Sequence, residues 1–172
     1  MERLFAGMIA LMLIAAAPAV APVPVPSAHG IKLGASGALV RFGIARAMAL
    51  QQLAPTIGKP VSQRTIPDCG QGTPMSEARF SDGLTLTFMR GKFVGWDLDS
   101  GKGPPVRTDR GIGIGATRTA VKRAYPSITV DDGPLGLMFT GDDEDTISGF
   151  LSANRPTGKV IGLFAGETCK VS

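Results

Sequence analysis

Residues 80–98 read FSDGLTLTFMRGKFVGWDL, and this stretch carries the clearest structural signal in the chain. Apolar residues alternate with others through Leu84–Met89 and through Lys92–Leu98, which is the period of two that strands require. Asp82-Gly83 precedes the first run, and Arg90-Gly91 lies between the two runs. Two-residue connections are typical of tight hairpin turns, and Asp-Gly is a strong signal for one. The stretch therefore predicts an antiparallel meander that ends at Leu98.

Part of this stretch recurs near the C-terminus. The segment Gly91–Trp96 (GKFVGW) returns as Gly158–Leu163 (GKVIGL), and a helix pattern lies upstream of each copy, at 44–54 and 116–125. Each helix pattern stops at a proline, which cannot continue a helix. We therefore expect an α+β fold of two tandem units, each a helix packed on an antiparallel β-meander. The alternative is that short Gly-Lys turns before apolar strands recur by chance.

The unit boundaries follow from the composition between the two copies. Residues 99–110 read DSGKGPPVRTDR, which is typical of a linker, so we predict a first unit at 31–98 and a second at 111–172. Other strand candidates lie at 61–66, 77–81, 127–130, 135–140, 146–151 and 159–165.

The first 28 residues are predicted to be a signal peptide followed by a proline-rich spacer. Leu4–Ala17 is uncharged and apolar, but it is shorter than the roughly 20 residues that a transmembrane helix needs. Ala17-Pro18-Ala19 fits a signal-peptidase site, so we expect a mature chain that begins between Val20 and Gly30. This predicts a periplasmic or secreted protein with no transmembrane segment after cleavage. An uncleaved anchor helix is the alternative.

Charge and residue counts exclude several classes of function. The chain has 18 basic and 14 acidic residues, for a net charge of +4, and the basic residues are scattered along the sequence. Scattered basic residues without interleaved aromatic residues indicate no nucleic-acid partner. The single His, His29, falls in the extended proline-rich stretch at 22–30, outside the predicted fold, so neither a Ser-His-Asp nor a Cys-His arrangement can be built. We expect a monomer.

Two motifs resemble cofactor or metal sites but lack the necessary context. Gly111–Ala116 fits G-x-G-x-x-A, yet a loop composition precedes it where a dinucleotide site needs a strand. Asp142–Asp145 (DDED) is an acidic run between two strand candidates, where a solvated hairpin tip is the more common role. We therefore expect no cofactor and no metal.

Cys69 and Cys169 are the only cysteines in the chain. Two cysteines in one exported chain usually pair, so we predict a disulfide between them. That bond would close a loop of about 100 residues and join the two predicted units.

Strand alternation divides the side chains between a core face and an outer face. Val94, Trp96 and Leu98 share the predicted core face with Ile161, Leu163, Ala165, Leu84, Leu86 and Phe88. The candidate binding residues on the predicted outer face are Thr85, Thr87 and Phe93, with Gly95 and Gly162 baring the backbone between them. Glycine in a strand marks a twist or bulge, or a surface that another chain approaches closely.

Four segments of the chain, taken together, resemble a group of uncharacterised exported bacterial proteins. The resemblance rests on four pieces in order: CGQG at 69–72, FSDGLTLTFMRGKFVGWDL at 80–98, GIGIGATRTAVKRAYP at 111–126 and GLFAGETC at 162–169. The tandem plan is also similar to the β-lactamase-inhibitor-protein fold and to small outer-membrane-assembly lipoproteins. In those families the unit binds other proteins through its sheet face, and the resemblance implies no catalytic residue.

These observations favour a non-enzymatic binding module of the bacterial envelope. Its exposed sheet face would bind a protein or a glycan. The alternative is a hydrolase of cell-envelope polymers that acts through acidic residues, which requires two carboxylates facing each other in a pocket.

Overall fold

A computed structural model of the chain describes residues 23–34, 37–69 and 72–169. Its helices are α1 (Arg46–Ile57) and α2 (Arg118–Ala124). The strands before α2, in chain order, are β1 (Pro24–Ser27), β2 (Gly30–Leu33), β3 (Leu39–Arg41), β4 (Ser62–Ile66), β5 (Met75–Arg79), β6 (Leu84–Met89) and β7 (Lys92–Leu98). After α2 follow β8 (Ile128–Gly133), β9 (Gly136–Gly141), β10 (Ser148–Leu151) and β11 (Val160–Gly166).

Most of the strands form one continuous sheet. Eight strands pair in the order β4-β5-β6-β7-β11-β10-β9-β8, all antiparallel, and β1-β2-β3 form a separate three-stranded sheet. The centre of the large sheet is the pairing of β7 with β11, from Leu98↔Leu163 to Gly95↔Gly166. The predicted α+β fold of two tandem helix-plus-meander units is therefore wrong. The last strand of the first meander, β7, pairs with the last strand of the second, β11. Without this pairing, each meander would have an unpaired edge strand there.

The strands at the centre of the sheet have the predicted bounds. The structure confirms β6 and β7 at Leu84–Met89 and Lys92–Leu98, with Arg90 and Gly91 in the turn between them. Both turn residues have positive φ, 50° for Arg90 and 73° for Gly91. That combination is what a two-residue hairpin turn requires.

A bulge in β7 changes the face on which Phe93 lies. Gly95 pairs with Thr87, but Phe93 pairs with Phe88, so that Val94 is the extra residue. Because side chains alternate with a period of two, this single insertion moves Phe93 from the outer face to the core. Phe93 is fully buried, with its ring centroid 5.0 Å from that of Phe42.

The same irregularity occurs in β11. Gly162 pairs with Phe150, whereas Val160 pairs with Leu151, which leaves Ile161 as the extra residue. Val160 is 1% exposed and Ile161 is 54% exposed. The core position predicted for Ile161 is therefore wrong, and Val160 fills the core in its place.

The helices begin and end for different local reasons. Thr117 is the N-cap of α2, because its hydroxyl oxygen accepts a hydrogen bond from the amide of Ala120. Pro55 does not end α1, which continues to Ile57 before Gly58 donates its N–H to the carbonyl of Ala54. Pro55 lacks the N–H that would donate to the carbonyl of Gln51, so it removes one backbone hydrogen bond from the last turn, yet the two residues after it stay helical.

The predicted spacer is part of the fold. Pro24–Ser27 forms β1 at the edge of the small sheet, a position that tolerates prolines because their missing N–H is not needed. The indole N–H of Trp96 donates to the carbonyl of Ser27 at 2.8 Å. His29, expected outside the fold, pairs with Asp145 at 2.8 Å. The predicted signal peptide before residue 23 lies outside the described residues.

One hydrophobic core joins both sheets and both helices. It contains Trp96, Leu53 of α1, Val121 of α2 and Ile31 of the small sheet. Val106, within the predicted linker, also belongs to it. No helix within the described parts of the chain is long and apolar enough to cross a membrane.

Candidate functional site

Two rows of side chains cross β4–β7 on the outer face of the large sheet, opposite the helices. Residues paired across neighbouring strands point to the same face. The first row is Ser62, Arg79, Thr85 and Asp97, and the second is Arg64, Glu77, Thr87 and Gly95. The neighbours of these residues along the strands, such as Leu84, Leu86, Trp96 and Leu98, lie in the core cluster on the other face.

A polar cleft with a cavity volume of about 210 Å³ opens over these rows. We call it the outer-face cleft. It is lined by Ser62, Arg64, Glu77, Arg79, Thr85, Asp97, Asp99 and Cys169. Apart from the cysteine, every lining side chain is charged or carries a hydroxyl, so the cleft can offer hydrogen bonds but little apolar contact.

An ion pair organises one side of this cleft. The Nε of Arg64 lies 2.7 Å from Oε2 of Glu77, and the two residues are paired across β4 and β5. The hydrogen bond and the charge of Glu77, with a smaller contribution from Asp97, raise the pKa of Arg64 above its usual value. Arg64 therefore stays charged, and it neutralises a glutamate that is only 8% exposed.

Arg79 is a second cation among the described residues that line the cleft. It lies between Ser62 and Thr85 in the first row. Its side chain is exposed, and within the described residues it forms no ion pair. Its five N–H donors are therefore available to a ligand that enters the cleft.

The C-terminal strap, Gly166–Cys169, crosses the outer face beside the cleft. After pairing with Gly95, the chain turns at Gly166, where φ is 72°, and Glu167 donates its N–H to the carbonyl of Val94. A Cβ atom at Gly95 would lie 2.1 Å from the carbonyl oxygen of Glu167. The absence of a side chain at Gly95 is therefore what allows the strap to cross the sheet.

The predicted disulfide between Cys69 and Cys169 is confirmed, with their Cα atoms 5.4 Å apart. It ties the strap to the segment between β4 and β5. The sulfur of Cys169 also lies 3.6 Å from that of Met75, which is 1% exposed. This covalent link holds one wall of the cleft in place.

The structure distributes the predicted binding residues over different environments. Thr85 lines the cleft and is 6% exposed, and Thr87 lies on the same face but is fully buried. Phe93 is in the core, and Gly95 lies beneath the strap. Gly162 is on the other half of the sheet, where an added Cβ atom would lie nearest the side chains of Phe150 and Asp99. These five residues therefore do not form one exposed face.

The charged residues of the cleft are not apparent as a group from the sequence pattern. Arg64, Glu77, Arg79 and Asp97 are paired only once the register of four strands is known. One signal was available: Asp97 lies between Trp96 and Leu98 in a strand of core residues, and a carboxylate in that position requires a specific environment.

The acidic run between β9 and β10 makes local contacts. Asp143 accepts hydrogen bonds from the hydroxyls of Ser127 and Thr146, and these bonds lower the pKa of Asp143 below its usual value. Asp145 pairs with His29. Across the residues that the structure describes, no three His, Cys, Asp or Glu side chains form a group that could hold a metal ion.

No protein-family model matches the chain, and no curated protein matches it. The chain is similar to a solved structure, the crystal structure of the uncharacterized protein yfeY from Escherichia coli, with a TM-score of 0.45 and 14% sequence identity. The match covers 68% of this chain and 87% of that chain. Similarity at this level assigns neither a fold family nor a function, so the resemblance drawn from sequence stays a prediction.

Proposed function

We propose that the protein is an exported, non-enzymatic binding module of the bacterial envelope. Its outer-face cleft binds a polar group of an envelope polymer, either a glycan or the exposed part of a protein. The observation that carries this proposal is the Arg79 guanidinium, exposed between two hydroxyl-bearing residues and beside a neutralised Arg64–Glu77 pair.

The size of the cleft supports a ligand that is part of a larger molecule. Pockets that enclose a whole drug-sized ligand measure about 300–1,000 Å³. At about 210 Å³ the outer-face cleft holds less than that. It therefore fits one sugar or one side-chain-sized group, while the rest of the polymer lies outside.

The cross-link supports the export part of the proposal. Disulfides persist in oxidising compartments such as the periplasm and the extracellular medium. The Cys69–Cys169 bond joins the strap, which forms one wall of the cleft, to the segment between β4 and β5, so an oxidising compartment keeps this wall in place.

An NMR titration with defined fragments tests the proposal. The probes are soluble glycan and peptide fragments released enzymatically from bacterial envelope polymers, added to ¹⁵N-labelled protein. We expect one class of fragment to shift the amide signals of residues 62–64, 77–79 and 85. Arg79→Gln should weaken that binding about ten-fold, because a hydrogen bond to a charged group contributes about 1.5 kcal/mol or more.

Arg41→Gln is the matched control, because Arg41 is exposed on β3 and its substitution removes the same charge. It should leave the affinity unchanged. The proposal is wrong if no fragment shifts the cleft signals, or if both variants bind as well as the wild type.

A hydrolase of envelope polymers is the second candidate, favoured by the three carboxylates in the cleft, Glu77, Asp97 and Asp99. In that case the same fragments would be shortened during the titration. Glu77→Gln or Asp97→Asn would abolish that cleavage while binding persists. Intact fragments after prolonged incubation would exclude this candidate.

A further inference from the structure

The fold gathers five cations from two separate segments of the chain. Arg118, Lys122 and Arg123 lie on α2, and Arg155 and Lys159 lie in the turn between β10 and β11. The turn packs along the start of α2: the amide of Arg118 donates to the carbonyl of Gly158, and Thr119 donates to that of Pro156. We call these five residues the α2 basic patch.

Among the described residues, no carboxylate is ion-paired with the cations of this patch, and most of these cations are exposed. Arg118 is half-buried and the other four cations are exposed. None of the five forms an ion pair within the part of the chain that the structure describes. The acidic run at 142–145 lies in the turn at the other end of β10. Arg118 and Lys122 are four residues apart on one helix, where like charges repel each other.

A shallow groove of about 430 Å³ runs through the patch. It is lined by Arg118, Thr119, Lys122, Arg123 and Pro156, with no acidic residue among them. The proline ring and the methylene stems of the long side chains supply apolar walls. The Nζ of Lys122 donates a hydrogen bond to the carbonyl of Ile128 at 3.1 Å, and Lys122 and Arg123 are both exposed.

We propose that the α2 basic patch docks the protein on an anionic lipid surface. Five cations spread over a helix and a turn exceed what one free phosphate can contact, so they fit an array of negative charges. The apolar walls between the cations suit the glycerol and upper acyl region below a lipid phosphate. This surface is separate from the outer-face cleft, so the two proposals can fail independently.

Vesicle co-sedimentation of the full mature chain, with its disulfide intact, tests the proposal. We expect the protein to bind vesicles of phosphatidylcholine with phosphatidylglycerol and not vesicles of phosphatidylcholine alone. Binding should weaken steeply with added salt. The triple variant Arg118→Gln, Lys122→Gln, Arg123→Gln should bind roughly 100-fold more weakly, or about five-fold for each cation removed.

The control triple variant Arg41→Gln, Lys59→Gln, Lys102→Gln removes the same charge from exposed positions elsewhere and should bind within about two-fold of the wild type. If the α2 triple variant melts at a much lower temperature than the wild type, the double variant Arg155→Gln, Lys159→Gln replaces it. Arg79→Gln should not change vesicle binding.

Four results would overturn the docking proposal. The first two are binding to neutral vesicles as strong as to anionic ones, and no binding to either kind of vesicle. The third is an equal loss of vesicle binding in the α2 and control triple variants. The fourth is tighter binding to polyphosphate or duplex DNA than to anionic vesicles. The last of these would assign the patch to a soluble anionic polymer.

Discussion

Gly95 and Gly162 occupy the same place in two similar strand sequences, but their neighbours differ. At Gly95 a Cβ atom would meet the backbone of Glu167 at 2.1 Å, whereas at Gly162 it would meet the side chain of Phe150 at 3.4 Å. Backbone cannot rotate away as a side chain can. The first glycine is therefore required for close approach, and the second is not.

We expect Gly95→Ala to lower the free energy of unfolding by roughly 1–3 kcal/mol, because the strap must move to make room for the methyl group. Gly162→Ala, its matched control, should be neutral or slightly stabilising, since alanine restricts the unfolded chain and fits at ordinary contact distance. Thermal denaturation of both variants measures this. Equal melting temperatures for the two variants would contradict the close approach at Gly95.

Asp82 makes stability depend on pH. Burial raises the pKa of its carboxyl, while a hydrogen bond from the amide of Leu84 acts in the other direction. With the folded pKa above the unfolded value of about 3.9, the ionised form opposes folding. Asp82 therefore lowers stability as the pH rises from the unfolded pKa through the folded pKa, and this loss persists at neutral pH.

Asp82→Asn keeps an acceptor for the Leu84 amide and removes the partly buried charge. We expect a higher melting temperature than the wild type at pH 7, with the difference shrinking as the pH falls towards 3. Asp132→Asn changes the net charge equally at an exposed position and should show no such convergence. A difference at Asp82 that stays constant between pH 3 and 7 would refute this explanation.

At the scale of elements, the contacts of β1 narrow the range of positions at which we expect the signal peptide to be cleaved. Its Ser27 carbonyl accepts from Trp96, and the Pro26 carbonyl accepts from the amide of Asp109. A mature chain that began after Pro24 would lose part of this strand. We therefore predict a mature N-terminus between Val20 and Val23, to be determined by N-terminal sequencing of the exported protein.

Truncation tests the contribution of β1 directly. A chain that begins at Gly30 should melt several degrees below one that begins at Val23, because it exposes part of the core and leaves the Trp96 indole unpaired. Trp96 is the only tryptophan, so its fluorescence emission should shift to longer wavelength in the shorter chain. A chain that begins at Val20 is the control and should match the Val23 form. Unchanged emission in the Gly30 form would contradict the assigned contact.

At the scale of the whole molecule, the continuous sheet and core predict cooperative unfolding. Because β7 pairs with β11 and both halves of the large sheet share one core, neither half can unfold without breaking strand pairing and exposing core residues. We expect one calorimetric transition whose enthalpy equals the van't Hoff value.

Reduction of the disulfide should shift that transition without splitting it. The bond spans 100 residues, and a cross-link of that length contributes roughly 4–5 kcal/mol in the chain-entropy treatment. The melting temperature should fall by roughly 10 °C, measured with and without reductant. Cys69→Ser with Cys169→Ser should reproduce the reduced curve. Two resolved transitions after reduction would indicate separable units and contradict the single core.

Structural features that depend on local chemistry could be predicted from the sequence alone. The bounds of β6 and β7, the Thr117 cap and the pairing of the only two cysteines follow from turn residues, side-chain alternation and residue counts. These features depend on neighbours within a few residues, or on there being only one possible partner.

What depends on partners far along the chain required the folded structure. The bulges at Val94 and Ile161 change which face a residue occupies, and they exist only in relation to the partner strand. The pairing of β7 with β11 replaces two predicted units by one sheet, because an unpaired edge gains hydrogen bonds from any matching strand. The cleft and the α2 basic patch arise in the same way, from cations and carboxylates that are distant in sequence and adjacent only after the strands have paired.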